Sequence, residues 1–135
     1  IGVDAYFPLS PRATPKVGEL KLAWAAPYQR IRSLAKRHQK QILFTEFGYR
    51  SIDGCTWQQW EIENLPHNSG VNLKAQVNAY SAFFETFWKE DWFAGMFLWQ
   101  WYTDHRNAGG ESNSDYTPQN KPASNLIASW FGNDA

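Results

Sequence analysis

The chain has 135 residues, of which 43% are apolar, enough for one domain with a core. Thirteen Lys plus Arg balance 13 Asp plus Glu, so the basic surface that nucleic acid or an anionic membrane requires is absent. No apolar run reaches the roughly 18 residues of a spanning helix, and the single Cys55 allows neither an internal disulfide nor a cysteine-rich metal site.

Ile1 to Phe7 reads as a short strand closed by Pro8. The chain opens on it without a lead-in, which predicts the C-terminal part of a longer protein. Pro8, Pro11 and Pro15 make the next stretch, through Gly18, a loop. From about Leu20 the spacing turns helical, with Ile31, Leu34, Ala35 and His38 three and four residues apart. Pro27 is expected near a helix start, where its missing N–H costs nothing. A basic stretch ending at Lys40 suits a helix C-terminus.

Gln41 to Tyr49 is almost continuously apolar, as a parallel strand buried on both faces would be. Ser51 to Asn72 is a long irregular stretch, and Trp57 and Trp60 inside it mark it as an ordered, functional loop. Leu73 to Asp91 is the clearest helix, with Val77, Tyr80, Phe84, Phe87 and Trp88 on one stripe. Phe93 to Tyr102 reads as another buried strand, Thr103 to Lys121 as a polar loop, and Pro122 to Phe131 as a short helix.

Strands alternating with helices predict βα units and a parallel sheet. The loops after the strands are long and aromatic, whereas the joints Arg37 to Gln41 and Glu90 to Phe93 are short. That asymmetry is the arrangement of barrel enzymes, whose sites lie on the C-terminal face. The expected fold is therefore α/β: three parallel βα units from the C-terminal portion of a (β/α)8 TIM barrel, a fold of about 250 residues. A small free-standing three-layer domain is the alternative.

Strict alternation puts Ile42, Phe44 and Glu46 on one strand face and Leu43, Thr45 and Phe47 on the other. A carboxylate ending an apolar face is costly unless paired or functional. Glu46 is therefore a candidate catalytic residue, with a loop-capping or Arg-paired carboxylate as the structural alternative. Tyr6 falls level with Glu46 if the strands are neighbours, where its phenol can donate to the carboxylate and orient it, with simple core or rim packing as the alternative. Asp4, one layer deeper, reads as support. Trp99 and Trp101 end the third strand and could wall the site or simply fill core. Trp57 and Trp60 are better sugar platforms, because a loop has less core to fill. Asp104, His105 and Arg106 could touch substrate hydroxyls or be solvated rim. His38, His67 and His105 lack metal-ligand spacing. Gly109-Gly110 has no phosphate-loop context, and Ser51, Ser69 and Ser112 sit in no nucleophile elbow. Neither a metal nor a cofactor is expected.

Joined together, these pieces resemble a known family. Ile1-Gly2-Val3-Asp4-Ala5-Tyr6-Phe7-Pro8-Leu9 resembles the sixth barrel strand of glycoside hydrolases of the family 113 type. Ile42 to Tyr49 looks like the seventh, Gly95 to Trp101 like the eighth, and Asp115 to Ala123 like the segment leading to the last helix. The resemblance implies residues 1–135 to be a partial glycosidase barrel lacking its N-terminal half. It implies retaining cleavage of a β-linked polysaccharide such as β-1,4-mannan, with Glu46 as nucleophile, Tyr6 orienting it and Trp99 stacking on the sugar. The acid/base carboxyl of this clan comes from the fourth strand, usually in an Asn-Glu pair, and no such strand is present. Glu61, Glu63 and Glu111 are loop carboxylates without a matching motif. The implied partners are an oligo- or polysaccharide and the missing half of the barrel. Two other readings compete: a non-catalytic carbohydrate-binding module and a structural α/β module. Half a barrel has open sheet edges, so the isolated chain is expected to self-associate or fail to fold.

Overall fold

The run from Ile42 to Phe47 builds the central strand, and the rest of the fold is arranged around it. The computed structural model describes residues 1–62 and 70–132. In chain order the elements are β1 (Gly2–Asp4), α1 (Val17–His38), β2 (Ile42–Phe47), α2 (Gln59–Ile62), α3 (Leu73–Phe87), β3 (Phe93–Leu98) and α4 (Pro122–Gly132). The strands form one parallel sheet in the order β1-β2-β3. Residues 39–41 and 88–92 join helix to strand, while residues 5–16, 48–72 and 99–121 follow the strands. The long connections thus gather at the C-terminal ends of the strands, as expected. The described residues between Ser51 and Asn72 hold the single turn α2 and an antiparallel bridge between Ile52 and Val71, where an irregular loop was expected.

α1 starts earlier than its spacing suggests. The Lys16 N–H donates to Glu19 Oε2 at 2.9 Å, which satisfies one of the free donors of the first turn. Pro27 therefore lies inside α1 rather than near its start. Its ring costs the carbonyl of Ala23 an N–H donor. The residue is nevertheless buried on the face that carries Leu20, Trp24, Ile31 and Ala35. Packing outweighs local propensity at this position. His38, expected on that stripe, is exposed. α3 opens on Asn72, whose side chain accepts from the Ala75 N–H at 2.9 Å.

α1 and α3 cover one face of the sheet through an aromatic core. Phe47 and Phe83 rings lie 4.1 Å apart, Trp24 and Phe87 5.0 Å, Phe44 and Phe87 5.2 Å, and Phe44 and Phe93 5.1 Å. Much of the aromatic excess is therefore interior, where each ring buries a large area and edge-to-face contacts add to it. The other face carries Asp4, Thr45 and Phe97, all exposed. Among the described residues no helix is long and apolar enough to cross a membrane.

Alternation along β2 breaks just before its end. Asp4 pairs with Glu46 although Val3 pairs with Phe44, so Thr45 and Glu46 together oppose one residue of β1. On the other side, Phe44 pairs with Met96 and Phe47 with Leu98, again leaving β2 one residue longer than its partner. This is a β-bulge. It corrects the expected faces: Phe47 joins Ile42 and Phe44 in the helix-covered core, while Thr45 is exposed and Glu46 half-buried. Glu46 does not end the Ile42–Phe44 face. The bulge re-aims it away from the core, so no apolar layer has to hold its carboxylate.

Candidate active site

β1 ends at Asp4, but the pairing continues one step, with the Ala5 N–H donating to the Glu46 carbonyl at 2.8 Å. That contact fixes the backbone on either side of Tyr6 and Glu46. The Tyr6 hydroxyl then donates to Glu46 Oε2 at 3.1 Å. Burial first, and then the charge and hydrogen bond of Glu46, push the Tyr6 phenol well above its ordinary range. Tyr6 therefore keeps its proton and remains a donor. One layer below, Thr45 Oγ1 donates to Asp4 Oδ1 at 2.7 Å, consistent with a supporting role for Asp4.

Trp99 is brought alongside by the ends of β2 and β3. Its backbone N–H donates to the Phe47 carbonyl at 2.8 Å. The Trp99–Gln100 peptide is cis. A Cβ on Gly48 would lie 1.9 Å from the Trp99 carbonyl oxygen, so only glycine permits this approach. The result is a cleft of about 350 Å³ lined by Tyr6, Glu46, Gln59, Trp60, Trp99 and Tyr116. The volume is that of a small-ligand site. Trp60 and Trp99 are half exposed, which leaves indole surface available to a ligand.

The structure brings four of the sequence-predicted site residues together here: Tyr6, Glu46, Trp60 and Trp99. Trp57, Trp101, Asp104, His105 and Arg106 are not in its wall. Trp101 stacks on His105, with ring centroids 6.3 Å apart and planes at 20°. Trp57 sits on a turn closed by its own N–H to the Gly54 carbonyl at 3.0 Å. Asp104 accepts from Asn107 Nδ2 at 2.7 Å in a second, more open cleft with Tyr102 and Asp115. Glu61 and Glu111 are exposed, and among the described residues Glu46 is the only carboxylate lining the first cleft. Glu63, Pro66, His67 and Ser69 lie outside the described residues. Among the described residues no three His, Cys, Asp or Glu side chains gather to hold a metal.

Two wall residues, Gln59 and Tyr116, were not anticipated as site residues. Tyr116 falls inside the segment Asp115 to Ala123, so family likeness pointed at its neighbourhood and not at its side chain. It is held by its N–H donating to Asp115 Oδ1 at 2.7 Å and by its carbonyl accepting from Gln76 Nε2 at 3.1 Å. Gln59 precedes Trp60 in a stretch without periodicity, and nothing local marks it. Behind Tyr116, Lys121 Nζ is buried and donates to Ser51 Oγ at 3.0 Å and to the Asp115 carbonyl at 2.7 Å. Arg50 Nε donates to the Ser114 carbonyl at 3.0 Å. These two cations fasten the loop after β3 to the end of β2.

Parallel βα units whose strand ends meet at a carboxylate flanked by indoles define a partial barrel of the (β/α)8 glycosidase class. The model of glycoside hydrolase family 113 matches residues 1–121, and the chain belongs to that family. Solved structures agree. The GH113 β-mannanase AaManA from Alicyclobacillus acidocaldarius, in complex with ManMIm, is 26% identical with a TM-score of 0.74. The match covers 99% of this chain and 38% of that one. A GH113 β-1,4-mannanase is 25% identical with a TM-score of 0.70, over 97% of this chain and 38% of its own. A further GH113 β-1,4-mannanase complex, at 24% identity and a TM-score of 0.71, shares the fold over the same 97% and 38%. The chain thus spans well under half the length of these structures. No curated protein sequence matches it.

Proposed function

We propose that this chain carries the nucleophile side of a retaining β-glycosidase site, and that the substrate is a β-linked polysaccharide of the β-1,4-mannan type. Glu46 carries the reading: a carboxylate re-aimed by a bulge into a cleft, held by Tyr6 at 3.1 Å and flanked by Trp99. Tyr6 engages Oε2, which leaves Oε1 to attack the anomeric carbon. Attack forms a glycosyl ester on Glu46 as an acid protonates the departing oxygen. Water, deprotonated by the same group, then cleaves the ester and frees Glu46. Trp99 and Trp60 offer flat faces for the sugar rings. The acid/base must stand about 5–5.5 Å from the nucleophile. Glu46 is the only carboxylate in the cleft wall among the described residues, so this reading assigns the acid/base to the barrel strands that residues 1–135 do not supply. Mannan as substrate is supported by the names of the solved relatives, which are β-mannanases.

The test uses the natural polypeptide that carries this sequence. Glu46→Gln is expected to lower turnover of mannan oligosaccharides by at least about 10³-fold, as loss of a nucleophile does. A small external nucleophile such as azide should restore turnover by taking the place of the carboxylate. Unchanged turnover in Glu46→Gln would end the assignment. A single carboxylate in the cleft wall among the described residues also favours a second reading, in which the chain binds sugar without cleaving it. Mannan oligosaccharides that give heat on titration into the natural polypeptide and are recovered uncleaved would support that reading, and no heat with any glycan would remove it.

A further inference from the structure

Gln59 departs from the rule that buried polar groups find partners. It is 2% exposed, and among the described residues neither its Nε2 nor its Oε1 has a hydrogen-bond partner. Trp24 Nε1, Tyr49 Oη, Tyr80 Oη and Gln76 Oε1 are also buried without partners. None of these four residues belongs to the wall of the Glu46 cleft, and Gln76 still donates to the carbonyls of Tyr49 and Tyr116. Among the described residues Gln59 alone joins a carboxamide unpartnered at both ends to a place in that wall.

The surroundings indicate what the amide would bind. Trp60 and Trp99 supply half-exposed indole faces in the same wall. A carboxamide presents a donor and an acceptor side by side in one plane. Flat apolar surface beside a planar donor–acceptor pair matches a pyranose ring, whose face is apolar and whose neighbouring hydroxyls both donate and accept. The terminal torsion of glutamine is soft, so the amide can turn toward hydroxyls without a new backbone position for α2.

We propose that Gln59 is a specificity-determining residue that holds two adjacent hydroxyls of the sugar in the cleft, accepting from one through Oε1 and donating to the other through Nε2. The assignment rests on the glycosidase reading of Glu46. A site built to bond hydroxyls rejects analogues that lack them, because its own polar groups are then left unpaired.

The test compares the natural polypeptide carrying this sequence with its Gln59→Met variant. The substrates are an intact mannan oligosaccharide and the same oligosaccharide lacking both adjacent ring hydroxyls assigned to Gln59 on the sugar at the cleavage point. Gln59→Met is expected to lower kcat/KM on the intact substrate by about 10²-fold and on the deoxy substrate by less than about 3-fold. Its Tm should equal or exceed that of the parent, since an apolar chain replaces an amide with no protein partner. Equal losses on both substrates, no loss on either, or a fall in Tm would overturn the assignment. Glu46→Gln run in parallel separates the two readings. A fully active Glu46→Gln sinks the glycosidase reading, whereas an inactive one beside an unimpaired Gln59→Met sinks only the role of Gln59.

Discussion

At the scale of single residues, the Tyr6–Glu46 pair decides how the cleft works. A carboxylate that must attack along one direction needs one oxygen held and the other free. The Tyr6 hydroxyl holds Oε2 at 3.1 Å, and burial together with the charge of Glu46 keeps the phenol protonated. Tyr6→Phe removes that donor and keeps the ring. On the proposed mechanism it lowers kcat by about 10²-fold, the usual cost of one aimed donor, with little change in KM. Its Tm should stay close to that of the parent, because the ring still packs and the carboxylate can turn to solvent. Steady-state kinetics and a melting curve on the natural polypeptide check both halves. A rise in KM at unchanged kcat would mean that Tyr6 serves substrate binding instead of the nucleophile.

At the scale of elements, the loop after β3 is tied down by a buried cation. Lys121 is buried against Ser51 Oγ and the Asp115 carbonyl, with Arg50 and Asp115 the charged groups acting on it. Burial lowers its pKa from 10.5 to about 8, an effect that Asp115 opposes and Arg50 reinforces. The unfolded chain therefore holds more protons than the folded one between pH 8 and 10.5, and folding stability rises with pH across that window. Below pH 8 the folded protein must carry a buried ammonium, and that part of the stability is lost. Wild type should thus gain Tm relative to Lys121→Met as pH rises from 8 toward 10.5, which melting curves at fixed ionic strength measure. A constant difference across that range would contradict the burial of the charge. The strand and helix order was legible because parallel strands are continuously apolar and α3 is strongly periodic. The bulge was not, because nothing in Phe44-Thr45-Glu46-Phe47 distinguishes an extra residue from ordinary alternation, and a one-residue slip exchanges every face beyond it. Glu46 could be singled out by its position at a strand end, but the face it occupies depends on pairing with two other strands. Pro27 misled for a similar reason: local rules place proline at a helix start, whereas the buried face of α1 holds it in the interior. Gln59 and Tyr116 join the cleft only through long-range folding of the two loops that carry them.

For the whole molecule, the sheet is finished on one face only. α1 and α3 cover the core side, while Phe97, at 62% exposure, stands with Asp4 and Thr45 on the other. β1 and β3 are both outer strands, each with one edge unpaired among the described residues. In a closed barrel these edges meet further strands and the open face becomes the packed interior. The chain spans only 38% of the length of its solved relatives, and on the proposed reading the missing strands supply both the cover and the acid/base. Unpaired parallel edges beside an exposed apolar face template association with other chains. The net charge of zero offers no repulsion against it. The 135-residue chain on its own is therefore expected to sediment as dimers or larger species, or to precipitate. Co-expression with the remaining strands of a family 113 barrel should instead yield one compact complex that cleaves mannan. Sedimentation of the isolated chain as a stable compact monomer would contradict the open-face argument. A monomer that also cleaved mannan would contradict the placement of the acid/base outside it.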